Sequence, residues 1–172
     1  KDADITGLVE VDTGSYRTGY KNQVDHISQH LDLYHHYSIK YGKRSINRMF
    51  PILNKQANAI LSKEKATRTE HIYFPVGTKR LVIKLSFDNY DFYLLHLALQ
   101  KSTRKKQLDH LIKLVDAKKP VIIAGDLNTF AGEGELESIK NKLNLVNPNI
   151  QRTPTYPSCA PKRQLDYILC SN

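Results

Sequence analysis

Pro120-Val121-Ile122-Ile123-Ala124-Gly125-Asp126-Leu127-Asn128-Thr129-Phe130 decides the reading of the chain. The apolar residues 121–124 are too few for a helix and read as a buried strand that breaks off at Gly125. Asp126 and Asn128 follow two residues apart at the strand's end. Their side chains can point the same way and converge on one small group, the carboxylate accepting while the amide donates. A hydrated phosphate suits that pair. The same spacing also serves a loop that makes only its own turn hydrogen bonds, so the motif alone leaves both readings open.

Upstream of this stretch, 102–115 has the pattern of a helix, with Ser102 or Thr103 as N-cap and Leu108, Leu111, Ile112 and Val115 as its buried stripe. Arg104-Lys105-Lys106 in its first turn opposes the helix dipole and hints at a role elsewhere, with solvation as the default reading. The run 92–99 is apolar enough to be a central strand, interrupted only by His96. A lone core histidine is a hydrogen-bonded packing residue unless it lines up with other polar residues at strand ends. Nearer the N-terminus, 5–12 reads as a strand that turns acidic at Glu10, either a solvated strand end or a ligand for a hard cation. Residues 22–31 have helical spacing, with Val24, Ile27 and Leu31 on one face. A short strand follows at 56–62, and 70–74 and 80–87 form a hairpin across Pro75-Val76-Gly77-Thr78. The stretch 41–48 is a basic, turn-prone loop. His26, His30, His35 and His36 lack the Cys or acidic partners of a zinc pattern and read as solvated. Beyond the central stretch come a short helix at 134–143 and a last strand at 164–169 that carries Asp166.

With 172 residues, 40% of them hydrophobic, the chain makes one domain over 1–172 and not two. The order of elements makes it a mixed α/β domain without internal repeats. Lys and Arg number 26 against 17 Asp and Glu, a net charge of +9, so the expected partner is anionic: nucleic acid, an acidic lipid surface or a phosphorylated substrate. Cys159 and Cys170 have neither zinc spacing nor the density of a disulfide scaffold and read as free thiols. No apolar run approaches the roughly 18 residues of a membrane span. Nothing reads as a signal peptide, which leaves the compartment open with the cytoplasm preferred.

Leu8-Val9-Glu10-Val11-Asp12, Ala57-Asn58-Ala59-Ile60-Leu61-Ser62, His96-Leu97, Gly125-Asp126-Leu127-Asn128 and Leu165-Asp166-Tyr167-Ile168-Leu169 resemble, in the right order, the motifs of the endonuclease/exonuclease/phosphatase superfamily. Thr155-Tyr156-Pro157 resembles that family's Thr-aromatic-Pro approach to the last motif. The resemblance spans nearly the whole chain. It implies a four-layered α/β sandwich of two packed mixed sheets flanked by helices, with the active site where strand ends of both sheets meet.

It also implies roles. Glu10 would bind Mg²⁺ or Mn²⁺, Asp126 would orient or deprotonate the attacking water, and Asn128 would hold a phosphoryl oxygen. His96 would donate to the phosphate as charge grows on it, and Asp166 would hold a second histidine. These are a hard ligand for a hard cation, a base near an in-line water, and donors aimed at developing charge. Asn58, Lys79, Arg80 and Arg163 are expected at the substrate, with Lys43, Arg44, Arg48 and Lys162 along the same border. The chain departs from the family pattern at Ala57, where glycine is usual, and lacks the opening asparagine strand and the closing Ser-Asp-His motif. The expected fold is therefore incomplete at both ends, and activity is expected of the complete protein. Metal-dependent hydrolysis of a phosphodiester is the reading, with nucleic acid first and lipid headgroups or small phosphate esters next. The alternative is a non-catalytic anion- or nucleic-acid-binding module on the same fold. With no tryptophan and no obvious aromatic ladder, charge is the main argument for nucleic acid.

Overall fold

Apolar runs become strands here because both of their faces are covered. The computed structural model describes residues 3–39, 55–116 and 118–172. The chain runs β1 (Ile5–Asp12), α1 (Gln23–Leu31), β2 (Tyr34–Ile39), β3 (Gln56–Ser62), β4 (Arg68–Tyr73), β5 (Leu81–Ser86) and β6 (Asp91–His96). It continues with α2 (Lys101–Leu114), β7 (Val121–Asp126), α3 (Glu137–Leu143), β8 (Leu145–Val146) and β9 (Asp166–Ser171). The basic stretch 41–48, with Lys43, Arg44 and Arg48, lies outside the described residues.

The strands form a three-stranded sheet, ordered β1-β3-β2, and a six-stranded sheet, ordered β4-β5-β6-β7-β9-β8. In the larger sheet β6 and β7 pair in parallel, and α2 is the crossover such a pair requires. The smaller sheet is antiparallel throughout its described pairs. Three apolar interfaces separate four layers. Val24 of α1 packs with Ala59 and Leu61 of β3. Ile60 meets Leu81, Ile83, Leu85 and Leu94 between the sheets. Leu95 and Ile123 meet Leu108, Leu111 and Ile139 beneath α2 and α3. This is the expected four-layered α/β sandwich.

Several local expectations change. α2 starts at Lys101 with Gln100 in the N-cap position, and Thr103 Oγ1 donates to the Gln100 side chain instead of capping the helix. Arg104 is not solvated: it is buried, donating to the carbonyls of Ala98 and Leu99, each at 2.9 Å, and to Glu135 Oε2 at 2.6 Å. An arginine tolerates burial when its fixed fork of donors is satisfied. Leu31 leaves the α1 stripe for solvent, because Asp32 ends the helix in a left-handed conformation. Leu99 lies past the end of β6 and is exposed. The 134–143 helix resolves into a 3-10 turn, Glu133–Leu136, followed by α3.

Candidate active site

β6 and β7 run in register with Leu95 opposite Gly125 and His96 opposite Asp126, and antiparallel β9 sets Asp166 opposite Asp126. Three ionisable side chains thus come from one row at the end of the larger sheet. Gly125 makes the row possible. A Cβ there would lie 1.8 Å from the Leu95 carbonyl oxygen, and its φ of +141° is one that L side chains rarely adopt. The strand therefore continues through Gly125 to Asp126 instead of breaking off at the glycine.

The smaller sheet contributes Glu10. It does not close its strand. It sits in an irregularity between Leu8 and Val11 with φ +60°, and β1 continues to Asp12. A bulge re-aims a side chain, and a left-handed non-glycine residue stores strain of about 1–3 kcal/mol, most often at functional sites. Buried Asn58 accepts from the Glu10 amide at 3.4 Å, so this residue, expected at the substrate, lies against the bulge. Asp12 is also buried. Burial alone would raise its carboxyl, but donors from Ser15, Gly14 and Thr18 more than offset this and hold it below the ordinary carboxylate range.

These elements meet at His96. Glu10 Oε1 lies 3.7 Å from His96 Nδ1 and 3.8 Å from Lys79 Nζ, while Asp126 Oδ2 lies 3.1 Å from His96 Nε2. Lys79 Nζ also contacts His96 Nε2. The imidazole is 3% exposed, and among the described residues its Nδ1 has no hydrogen-bond partner. Nε2 can give a proton to Asp126 or accept one from Lys79, but it serves one of them at a time.

Asn128 supports this centre from below. Its φ is +52°, its amide N–H donates to Asp126 Oδ1 at 3.0 Å, and its Nδ2 donates to the Leu97 carbonyl at 3.0 Å. The Asp-x-Asn turn bond and the active-site geometry therefore coexist, and Asn128 has one of its two amide hydrogens left for another acceptor. Asp166 is exposed, its N–H donating to Thr155 Oγ1 at 3.2 Å. With Asp126, Thr155 and Gln164 it lines a cleft of about 550 Å³ that Val9, Leu94 and Ile168 also line. Of the basic residues expected at the substrate, Lys79 turns into the cluster, whereas Arg80 and Arg163 are exposed and, among the described residues, make no contact with it that the structure shows.

Gln107 was not singled out from the sequence. It is fully buried in α2, accepts from the Ala98 amide at 2.9 Å, and donates to the carbonyls of Val76 at 3.1 Å and Lys79 at 2.7 Å. It thereby pins the turn that carries Lys79. The one sequence signal is an amide placed just before Leu108 on the helix's buried side.

Among the described residues no three His, Cys, Asp or Glu side chains group as a ligand set. Glu10 nevertheless offers a carboxylate whose side chain is 43% exposed. Mg²⁺ is typically held by one or two carboxylates, with waters and substrate oxygens completing its shell, so the residues present fit a hard divalent ion.

Fold and site together define an α/β sandwich with an ionic cluster where the ends of its two sheets meet. The chain belongs to the Endonuclease/Exonuclease/phosphatase family, whose pattern matches residues 1–172. No curated protein matches the sequence. Among solved structures, the human Nocturnin catalytic domain with bound sulfate anion superposes with a TM-score of 0.73 at 18% identity, over 98% of this chain and 69% of that one. ANGEL2, described as a 2′,3′-cyclic phosphatase in complex with adenosine-2′,3′-vanadate, gives 0.69 at 15% identity, over 99% of this chain and 70% of that one. An endonuclease/exonuclease/phosphatase from Beutenbergia cavernae DSM 12333 gives 0.66 at 17%, over 98% of this chain but 55% of that one. At these identities the likeness is one of fold.

Proposed function

We propose that this chain carries the active centre of a metal-assisted phosphodiester hydrolase, with nucleic acid as the preferred substrate. The observation that carries the reading is the meeting of Glu10, His96 and Asp126, drawn from both sheets, with Lys79 of the β4–β5 turn; Glu10 and Asp126 lie 3.1 to 3.8 Å from their partners. Asp126, partly exposed at the strand end, orients the attacking water and takes its proton. His96 and Lys79 donate to phosphoryl oxygens as negative charge accumulates there. Asn128 adds its remaining amide hydrogen, Asn58 holds the Glu10 bulge, and Asp166 lines the cleft beside Asp126. Glu10 would hold Mg²⁺ or Mn²⁺, which supplies Lewis-acid polarisation of a phosphoryl oxygen. Arg80 and Arg163 border the same end and would meet flanking phosphates. The sulfate held by the Nocturnin domain and the vanadate adduct in ANGEL2 support a phosphate-like anion as the substrate group in this fold.

The test is hydrolysis of DNA, RNA and bis(p-nitrophenyl) phosphate with Mg²⁺ or Mn²⁺ and again in excess chelator. Turnover should require the metal. Lys79→Met should lower kcat by roughly 10²–10³-fold, as expected for a donor to developing charge. Turnover that persists in chelator would remove Glu10's role. Binding of polynucleotide without turnover of any of the three substrates would leave an anion-binding module instead.

A further inference from the structure

The sequence shows no aromatic ladder, but the fold brings together two distant aromatics from the segments that follow Asp126 and precede Asp166. Phe130 and Tyr156 pack edge to face with ring centroids 6.0 Å apart. Rings that satisfied only each other in a core would be covered, yet these remain 37% and 49% exposed. Single exposed apolar residues are ordinary. A preorganised pair on two anchored loops is different.

Both loops are fixed to the reactive end. Phe130 follows Asn128 by two residues, its amide donating to the Asn128 carbonyl at 2.9 Å, and Thr129 between them donates to Tyr167 Oη at 3.1 Å. Tyr156 exchanges both backbone hydrogen bonds with Arg163, at 2.9 and 3.0 Å. Its neighbour Thr155 accepts from the amides of Leu165 and Asp166, so Tyr156 is held one residue from the edge of β9 that faces Asp126. Arg163 and Lys162, both exposed, flank it.

We propose that Phe130 and Tyr156 form a stacking platform for a nucleobase next to the reacting phosphate, and that the substrate is single-stranded nucleic acid. This rests on the phosphodiester reading above and narrows it. Stacking on aromatic rings is the sequence-tolerant way to hold unpaired bases, and it works together with cations that track the backbone. Lys79 and His96 take the reacting phosphate, while Lys162 and Arg163 lie where a neighbouring phosphate would pass. A bilayer would call for a broader apolar wedge than two rings bordered by the exposed Lys162, Arg163 and Asp166.

The experiment uses the 172-residue chain in an Asp126→Asn background, which prevents turnover, and follows binding of labelled single-stranded oligodeoxynucleotide by fluorescence anisotropy. The comparison ligand is an abasic oligomer of equal length. The bases should strengthen binding by about ten-fold or more, as stacking on two rings implies. Phe130→Ala with Tyr156→Ala should erase that difference while leaving abasic binding unchanged, and Tyr156→Phe should retain it. Equal affinity for the two oligomers, an equal loss on both in the double variant, or binding of neither would overturn the platform. So would loss of binding to phosphatidylcholine and sphingomyelin vesicles with oligonucleotide binding unaffected. Base discrimination without hydrolysis by the unmodified chain would sink only the hydrolase reading, and hydrolysis without base discrimination would sink only the platform.

Discussion

The two ends of β6 carry charge in opposite ways. At its start, Asp91 is buried and paired with Lys84 at 3.0 Å and Lys119 at 3.6 Å, and Lys84 also reaches Glu70 at 3.4 Å. Burial alone would raise the Asp91 carboxyl, but hydrogen bonds from Lys84 and Ser86 and the charges of Lys84 and Lys119 hold it below the ordinary carboxylate range. At its far end, His96 meets Glu10 at 3.7 Å, with two left-handed non-glycine residues, Glu10 and Asn128, supporting the cluster. Each end has a buried polar atom without a hydrogen bond among the described residues. At the first it is the neutral hydroxyl of Tyr93, and at the second it is an ionisable nitrogen of His96. Closely paired charge at regular backbone is what stability favours. The far end is paired as closely, His96 lying 3.1 Å from Asp126, but it stands on strained backbone, and that marks a place arranged for something else to bind.

The largest effect that separates the two ends is on rate. Asp126→Asn should lower kcat by about 10²–10⁴-fold, the usual contribution of a positioned general base, with little change in substrate affinity or in thermal unfolding. Kinetics on the hydrolysed substrate, paired with a melting curve, checks it. A variant that lost affinity alone would give Asp126 a binding role and weaken the contrast.

At the other end the effect is on stability. Asp91→Asn leaves Lys84 and Lys119 without their shared carboxylate and should cost about 2–4 kcal/mol in denaturant unfolding, near the range for breaking a buried ion pair because Lys84 keeps Glu70. Activity of the folded fraction should be unchanged. The sign with pH follows from the lowered carboxyl: the pairing is fully stabilising above the ordinary carboxylate value and is lost as pH falls through the folded value. The unmodified chain should therefore lose stability on acidification more steeply than Asp91→Asn. Equal slopes would mean that the network contributes nothing.

The same contrast explains what could be read from the sequence. β1, β3 and the β4–β5 hairpin were legible because apolar runs and alternation report burial directly, whereas the grouping of His96, Asp126 and Asp166 was expected only from the resemblance to the family's motifs. β2 was not, since Tyr-His-His-Tyr-Ser-Ile has no apolar alternation; it is a strand because β3 pairs with it and because His36 reaches across to Thr69 of the other sheet at 3.1 Å. Arg104 and Gln107 were misread or missed for a common reason. Long polar side chains on a helix read as solvated, and only the fold shows that their donors end on carbonyls of the β6–α2 connection and of the Lys79 turn. Nor does the sequence reveal the left-handed backbone at Glu10. That conformation is imposed by the pairing of β1 with β3 around it.

The smallest expected effect tests the strain itself. Glycine adopts the left-handed conformation of Glu10 at no steric cost, although it loses more backbone freedom on folding than glutamate does. The net effect of Glu10→Gly should be a gain of about 0.5–1 kcal/mol, a fraction of the strain range for such a residue. The variant should also lose metal-dependent turnover, since no carboxylate is left to hold the ion. Glu10→Gln separates the two terms: it keeps the backbone strain and the stability of the original chain while removing the charge. Equilibrium denaturation of the three proteins decides the matter. If Glu10→Gly is no more stable than Glu10→Gln, the bulge is relaxed in solution, and the claim that this end of the sandwich holds strain for function fails even if both variants are inactive.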